Sequence, residues 1–160
     1  RAWRFGDHVD TDAIIPVRYC TTSRLEELGP HAMAGVDPGF AAGIAKGDFV
    51  VAGCNFGCGS SRENAPLALL GAGVGAVVAE SFGRIFFRNA LNVGLPIVEC
   101  PGGARECRPG DELLVYPGEG LLVNRTLGTR HAFAPYPEAL QEIVRLGGLV
   151  EYVRRRLGAG

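Results

Sequence analysis

The sequence predicts an α/β domain with a mainly parallel sheet flanked by helices, and three observations carry that expectation. Apolar runs that read as buried strands alternate with helix-like runs between Phe49 and Glu99, as parallel strands joined by right-handed crossovers require. At 160 residues the chain suits a single domain, 1–160, whose core needs no disulfide staples. Its 24 glycines and 10 prolines stay below the roughly 25% share that signals low complexity, and they imply many tight turns in a globular chain.

Taken in order, residues 2–5 are a short strand candidate. Residues 6–12 are polar and read as a loop whose three aspartates make turns, since their positions do not form a calcium-loop pattern. His8 reads as a loop residue. Residues 17–47 are irregular, with short helices at 24–28 and 38–44. A long excursion between core strands is often functional, so residues 18–24 are a candidate substrate-facing loop, with an ordinary surface connection as the alternative. Residues 49–53 read as a buried strand and 66–73 as a helix; 75–79 and 95–99 are further buried strands, with an apolar helix at 85–93 between them. Residues 112–116 and 121–123 predict a hairpin across Pro117-Gly118-Glu119-Gly120, and 130–133 a further short strand. Two helices close the chain: 137–145, with Leu140, Ile143 and Val144 on one face, and 149–157, beyond Gly147-Gly148.

The chemistry is expected between the strand at 49–53 and the helix at 66–73, in Asn55-Phe56-Gly57-Cys58-Gly59-Ser60-Ser61-Arg62-Glu63-Asn64. Gly57 and Gly59 allow positive φ and the close approach of a ligand. A helix N-terminus presents unpaired N–H groups and partial positive charge, so Ser60, Ser61 and Arg62 at its opening would cradle a carboxylate or phosphate. The competing use of the same residues is a capping box, in which Ser60 accepts from the Glu63 N–H and Glu63 reaches back. A cap needs neither the glycines nor the guanidinium. Ser81-Phe82-Gly83-Arg84 follows the next strand, at the sheet edge where open α/β folds bind ligands, so two loops are expected to meet there. Arg84 and Arg88 read either as further charges near that site or as a solvated helix face.

A net charge of −1 with no dominant basic block excludes a nucleic-acid partner on electrostatic grounds. Arg154, Arg155 and Arg156 read as a solvated helix end that complements the dipole. The five cysteines, Cys20, Cys54, Cys58, Cys100 and Cys107, match no disulfide framework and no zinc or iron–sulfur spacing, so no metal is expected on this chain. Cys54 and Cys58 are also wrongly spaced for a redox pair. There is no signal-peptide pattern and no run of about 18 apolar residues, so the chain reads as cytoplasmic and off the membrane.

Four motifs, Asp10-Thr11-Asp12-Ala13-Ile14-Ile15-Pro16, Asn55 through Glu63, Glu80-Ser81-Phe82-Gly83-Arg84-Ile85-Phe86 and Asn92-Val93-Gly94-Leu95-Pro96, resemble in order and spacing the small subunits of the 3-isopropylmalate dehydratase and homoaconitase group. That group is similar to the swivelling β/β/α domain of aconitase. Cys58 looks like the isopropylmalate and homoaconitate branch. The resemblance implies a hydro-lyase active only with a large iron–sulfur subunit, as heterodimer or heterotetramer, the 4Fe-4S cluster lying on that partner. It implies dehydration and rehydration of a small hydroxy-diacid, 2-isopropylmalate to 3-isopropylmalate in leucine biosynthesis. The alternatives are a homoaconitase-type subunit of lysine biosynthesis and, from another class, a non-catalytic carboxylate- or phosphate-binding module. By the same resemblance Ser60 is the general base, acting as an alkoxide, while Ser61 and Arg62 bind a substrate carboxylate. Thr21 stands where members that take a tricarboxylate have arginine, which favours isopropylmalate with its apolar branch, although Arg18 or Arg24 lies close enough in sequence to substitute. Asn64 stands where the family commonly has histidine. Self-association of the isolated chain through the partner surface remains open.

Overall fold

Short valine- and alanine-rich strands form the centre of the molecule. The computed structural model describes residues 1–60 and 62–158. Strands β1 (Ala2–Arg4), β2 (Phe49–Ala52), β3 (Ala76–Ala79) and β4 (Ile97–Glu99) make a parallel sheet in the order β1-β2-β3-β4, with Ala52 opposite Ala79 and Val78 opposite Val98. Val50, Val51, Val77 and Val78 are fully buried, as expected when a parallel sheet is covered on both faces.

The period-2 alternation of side chains divides the core in two. Val50, Ala52, Val77 and Ala79 face a helical layer with Phe56, Leu69 and Phe86. Val51, Val78 and Val98 face the other way, against Leu113, Leu122 and Ala104. In chain order the helices are α1 (Thr11–Ile14), α2 (Leu25–Leu28), α3 (Phe40–Gly43), α4 (Asn64–Ala72), α5 (Arg84–Asn92), α6 (Pro101–Glu106), α7 (Glu138–Arg145) and α8 (Leu149–Arg156). Single 3-10 turns at Val17–Tyr19 and Gly29–His31 complete the long excursion, which is anchored by fully buried Leu28, Met33 and Phe40.

The second layer is an antiparallel meander of β5 (Leu113–Tyr116), β6 (Leu121–Asn124) and β7 (Thr129–Ala132). The expected hairpin and the separate short strand therefore join into one three-stranded sheet. Helix α6 was not expected, because Pro101, Gly102 and Gly103 carry no helical apolar period. It forms where Gly103 lets the backbone approach Leu122, since a Cβ there would lie 2.4 Å from Leu122 Cδ2. Residues 6–12 also depart from a simple loop. Asp10 caps α1 by accepting from the Ala13 N–H at 2.8 Å, and Asp12 accepts from the Val17 N–H at 3.2 Å. The aspartates do make turns, one of them helical.

Candidate active site

Parallel strands release their following loops at one edge, so the segments after β1, β2 and β3 meet there. Beyond the strands the pairing continues as isolated parallel bridges, Asp10 with Cys58 and Phe56 with Phe82. The Thr11 N–H donates to the Cys58 carbonyl at 2.9 Å, the Phe56 N–H to Ser81 O at 3.0 Å, and the Asn55 N–H to Ser81 Oγ at 2.8 Å. The two loops expected to meet do so, and the segment at residues 10–12 joins them.

The glycines act as the sequence requires. Gly57 has φ 82°, and a Cβ there would lie 2.2 Å from the Phe86 ring. Phe56 is fully buried, with Phe82 and Phe86 edge-on at 6.2 and 5.4 Å between centroids. That packing sets the path of the turn. Gly59, at φ 101°, brings the chain past Thr11.

A cluster of hydroxyl and guanidinium groups results. Arg62 Nε donates to Ser60 Oγ at 2.9 Å, and Ser60 Oγ lies 3.2 Å from Thr11 Oγ1. Among the described residues the outer nitrogens of Arg62 make only long contacts: Nη2 to Thr11 Oγ1 at 3.5 Å and Asp12 Oδ1 at 3.8 Å, and Nη1 to Cys20 Sγ at 3.8 Å. Arg62 is 22% exposed and Ser60 is exposed. One edge of the guanidinium is thus spent on Ser60, and among the described residues the other donors have no close partner that would compete with a planar anion.

The capping box is not formed. Helix α4 begins at Asn64 with Glu63 as its cap residue, and no side-chain oxygen caps it. Ser60 lies in the turn before the cap, with its oxygen engaged by Arg62 and Thr11 instead. The polar cluster is therefore made by side chains of the turn more than by the helix end. Ser61, assigned to substrate binding, lies outside the described residues.

The loop at residues 18–24 comes alongside this turn. Asn64 Nδ2 donates to the Thr22 carbonyl at 2.7 Å, and Cys20 sits against Arg62. Thr21 is exposed. The two nearby arginines are engaged, Arg18 over the Tyr19 ring at 4.7 Å and Arg24 with Glu26 at 2.5 Å. Tyr19 in turn stacks on His31 at 3.7 Å. Arg84 and Arg88 are exposed on α5. Thr11, Cys20 and Asn64 were not assigned to the site by sequence reasoning. The Asp10-Thr11-Asp12 motif was visible, but no periodicity links it to Ser60.

Among the described residues no three thiols come together. Cys100 and Cys107 are buried, and burial pushes both thiols up, Cys107 to about 11, which disfavours thiolate ligation. Exposed Cys54 shares its neighbourhood with Asp7 and Glu80, their ligand atoms all within 4.8 Å, and a cluster held by cysteine thiolates needs more than one. Among the described residues no helix is long and apolar enough to cross a membrane.

A family model described as the aconitase C-terminal domain matches residues 44–101. The chain is 49% identical over 160 residues to the 3-isopropylmalate dehydratase small subunit of Heliobacterium modesticaldum, covering 100% of this chain and 96% of that protein. It is also 49% identical over 157 residues to the isopropylmalate/citramalate isomerase small subunit of Methanocaldococcus jannaschii, covering 98% of this chain and 94% of that protein. Among solved structures it matches the crystal structure of 3-isopropylmalate dehydratase from the same archaeon with a TM-score of 0.92 at 42% identity, over 99% of this chain and 94% of that one. Identity of this degree along nearly the whole length of both chains, with the same fold, leads to one conclusion: the chain belongs to the family of 3-isopropylmalate dehydratase small subunits.

Proposed function

We propose that the chain is the small subunit of a heteromeric hydro-lyase that interconverts 2-isopropylmalate and 3-isopropylmalate in the cytoplasm, a step of leucine biosynthesis, and that it works only with a large subunit. The observation that carries this reading is the open cluster in which Arg62 Nε lies 2.9 Å from the exposed Ser60 Oγ. A base and a carboxylate fork stand side by side at the carboxyl edge of the sheet, in a family whose members are hydro-lyase subunits. The cluster is open to one side, as half of a site completed by a partner would be.

The chemistry assigned to this chain is proton movement and anchoring. Ser60, as an alkoxide, takes the proton from the substrate carbon next to a carboxylate, while hydroxide leaves the neighbouring carbon and a double bond forms. Hydroxide then adds to the carbon that gave up the proton, and Ser60 returns that proton to the carbon the hydroxyl left, so the net reaction moves one hydroxyl. Arg62, with Ser61, holds a substrate carboxylate through the guanidinium donors not used on Ser60. A 4Fe-4S cluster expected on the large subunit supplies Lewis acidity for the departing hydroxyl.

Substrate choice falls to the loop around Thr21. With Thr21 uncharged, Arg24 paired with Glu26 and Arg18 over Tyr19, a third carboxylate has no ready partner there, so isopropylmalate fits better than homocitrate. Citramalate, named for one relative, is the other substituted malate to assay.

The decisive measurement is Ser60→Ala in the complex reconstituted with its large subunit. Loss of a general base predicts a kcat lower by about 10²–10⁴-fold, with subunit association intact by size-exclusion chromatography. Activity falling only in proportion to lost stability would refute the base assignment. A clear preference for homocitrate over isopropylmalate would overturn the substrate.

A further inference from the structure

We propose that the hydroxyl of Thr11 is a catalytic hydrogen-bond donor that holds the Ser60 oxyanion, an inference that rests on the reading of Ser60 as the base. Thr11 is only 2% exposed, and the residue comes from a segment 49 positions away in sequence. Its Oγ1 nevertheless meets the reacting oxygen at 3.2 Å. The remainder of the residue is fixed. Its N–H donates to Cys58 O and its carbonyl accepts from the Ile15 N–H, both at 2.9 Å. The β-branched side chain adds stiffness at χ1.

Proton counting sets the direction of the bond. Between two neutral hydroxyls either can donate. An ionised Ser60 has no proton, so it accepts from Arg62 Nε–H on one side, and the Thr11 contact persists only with Thr11 as donor. Arg62 Nη2, 3.5 Å from Thr11 Oγ1, occupies the threonine lone-pair side and leaves its proton to point at Ser60. Two donors of this chain thus converge on one oxygen, and Ser60 is itself exposed. When Ser60 takes the substrate proton, the Thr11 proton stays where it is and the contact reverts to a neutral pair. The interaction is stronger in the ionised state, which is what allows it to assist formation of the base. Gly59 contributes through space, because a Cβ there would already touch Thr11 Oγ1 at 3.4 Å.

The test is steady-state kinetics of Thr11→Val, Thr11→Ser and Ser60→Ala, each in the reconstituted complex with isopropylmalate, with melting temperature and subunit association followed in parallel. Removing one oxyanion donor lowers kcat by about 10²–10³-fold in known cases, so Thr11→Val is expected to fall about 100-fold in kcat with KM within about threefold. Thr11→Ser, which keeps the hydroxyl, is expected to restore most of that loss. If Thr11→Val does not assemble, Thr11→Ala against Thr11→Ser decides by the same criterion, because they differ in one hydroxyl. Equal kcat in the variants with and without the hydroxyl overturns the role of Thr11, as does an effect confined to KM. Full activity in Ser60→Ala instead overturns the base reading beneath it. An inactive Ser60→Ala beside a fully active Thr11→Val removes Thr11 alone.

Discussion

On the proposed reading, Arg62 has two duties that a different cation would not combine. Its Nε is committed to Ser60 at 2.9 Å, while among the described residues its outer nitrogens have neighbours only at 3.5–3.8 Å. The Asp12 carboxylate at 3.8 Å is 64% exposed, so that pair is a weak surface contact, worth at most about 1 kcal/mol, and a substrate carboxylate can displace it. Lysine offers a point charge that serves Ser60 or the substrate but not both. For Arg62→Lys we expect KM for isopropylmalate to rise about 10- to 100-fold, the equivalent of a charged hydrogen bond of about 1.5–3 kcal/mol, with a fall in kcat as Ser60 loses its donor. Unchanged kcat and KM would remove Arg62 from the site. At this scale the turn that brings Ser60 and Arg62 together was legible in the sequence, because glycines and a guanidinium before a helix are an unusual local combination. Thr11 was not, since nothing local marks which distant hydroxyl a turn will meet.

At the scale of elements, the loop at residues 18–24 is held against the start of α4. The Asn64 amide provides that hold through its 2.7 Å bond to the Thr22 carbonyl, which gives a role to a residue standing where histidine is common in the family. Asn64→Ala removes one neutral hydrogen bond, worth about 1 kcal/mol, near the surface. We expect a modest change in stability, a KM about fivefold higher, and a smaller ratio of kcat/KM for isopropylmalate over homocitrate, since the loop carrying Thr21 is released. A selectivity ratio equal to that of the parent enzyme would show that the loop is positioned by other contacts. Strands β2, β3 and β4 and helix α5 lie within two residues of the sequence expectation, because long apolar runs are strong signals. Helices α1 and α6 were missed, for they depend on an aspartate cap and on glycines packed against a neighbouring sheet.

At the scale of the whole molecule, Asp111 joins the two sheets. Its carbonyl accepts from the Ala2 N–H of β1 at 2.9 Å. Its carboxylate accepts from the Arg108 N–H and from Asn124 Nδ2 of β6, each at 2.9 Å, and the residue is 4% exposed. Burial pushes this carboxyl up, but the bonds from Asn124 and Arg108 outweigh it and hold the group below its ordinary 3.8. A depressed carboxyl contributes stability that is complete above the unfolded value and is lost as pH falls through the lower folded value. The protein should therefore lose this contribution below about pH 4. Asp111→Asn should cost about 1–3 kcal/mol at pH 7 and flatten the acid limb of the stability curve, as read by urea denaturation at several pH values. An acid limb identical to the parent's would assign it to other carboxylates.

The sequence by itself determined the parallel α/β core, the order of its strands and helices, and the position of the Ser60 and Arg62 turn, because these follow from local apolar runs and from residues a few positions apart. It also carried the family, through four motifs in order. Tertiary structure alone decided what Ser60 does with its oxygen. The capping box was the commoner use of such a local sequence, and it lost because the bridge between Asp10 and Cys58 brings Thr11 to that oxygen, to which Arg62 also donates, before α4 begins. A hydrogen bond across 49 positions has no local signal. It exists because parallel strands deliver their loops to one edge.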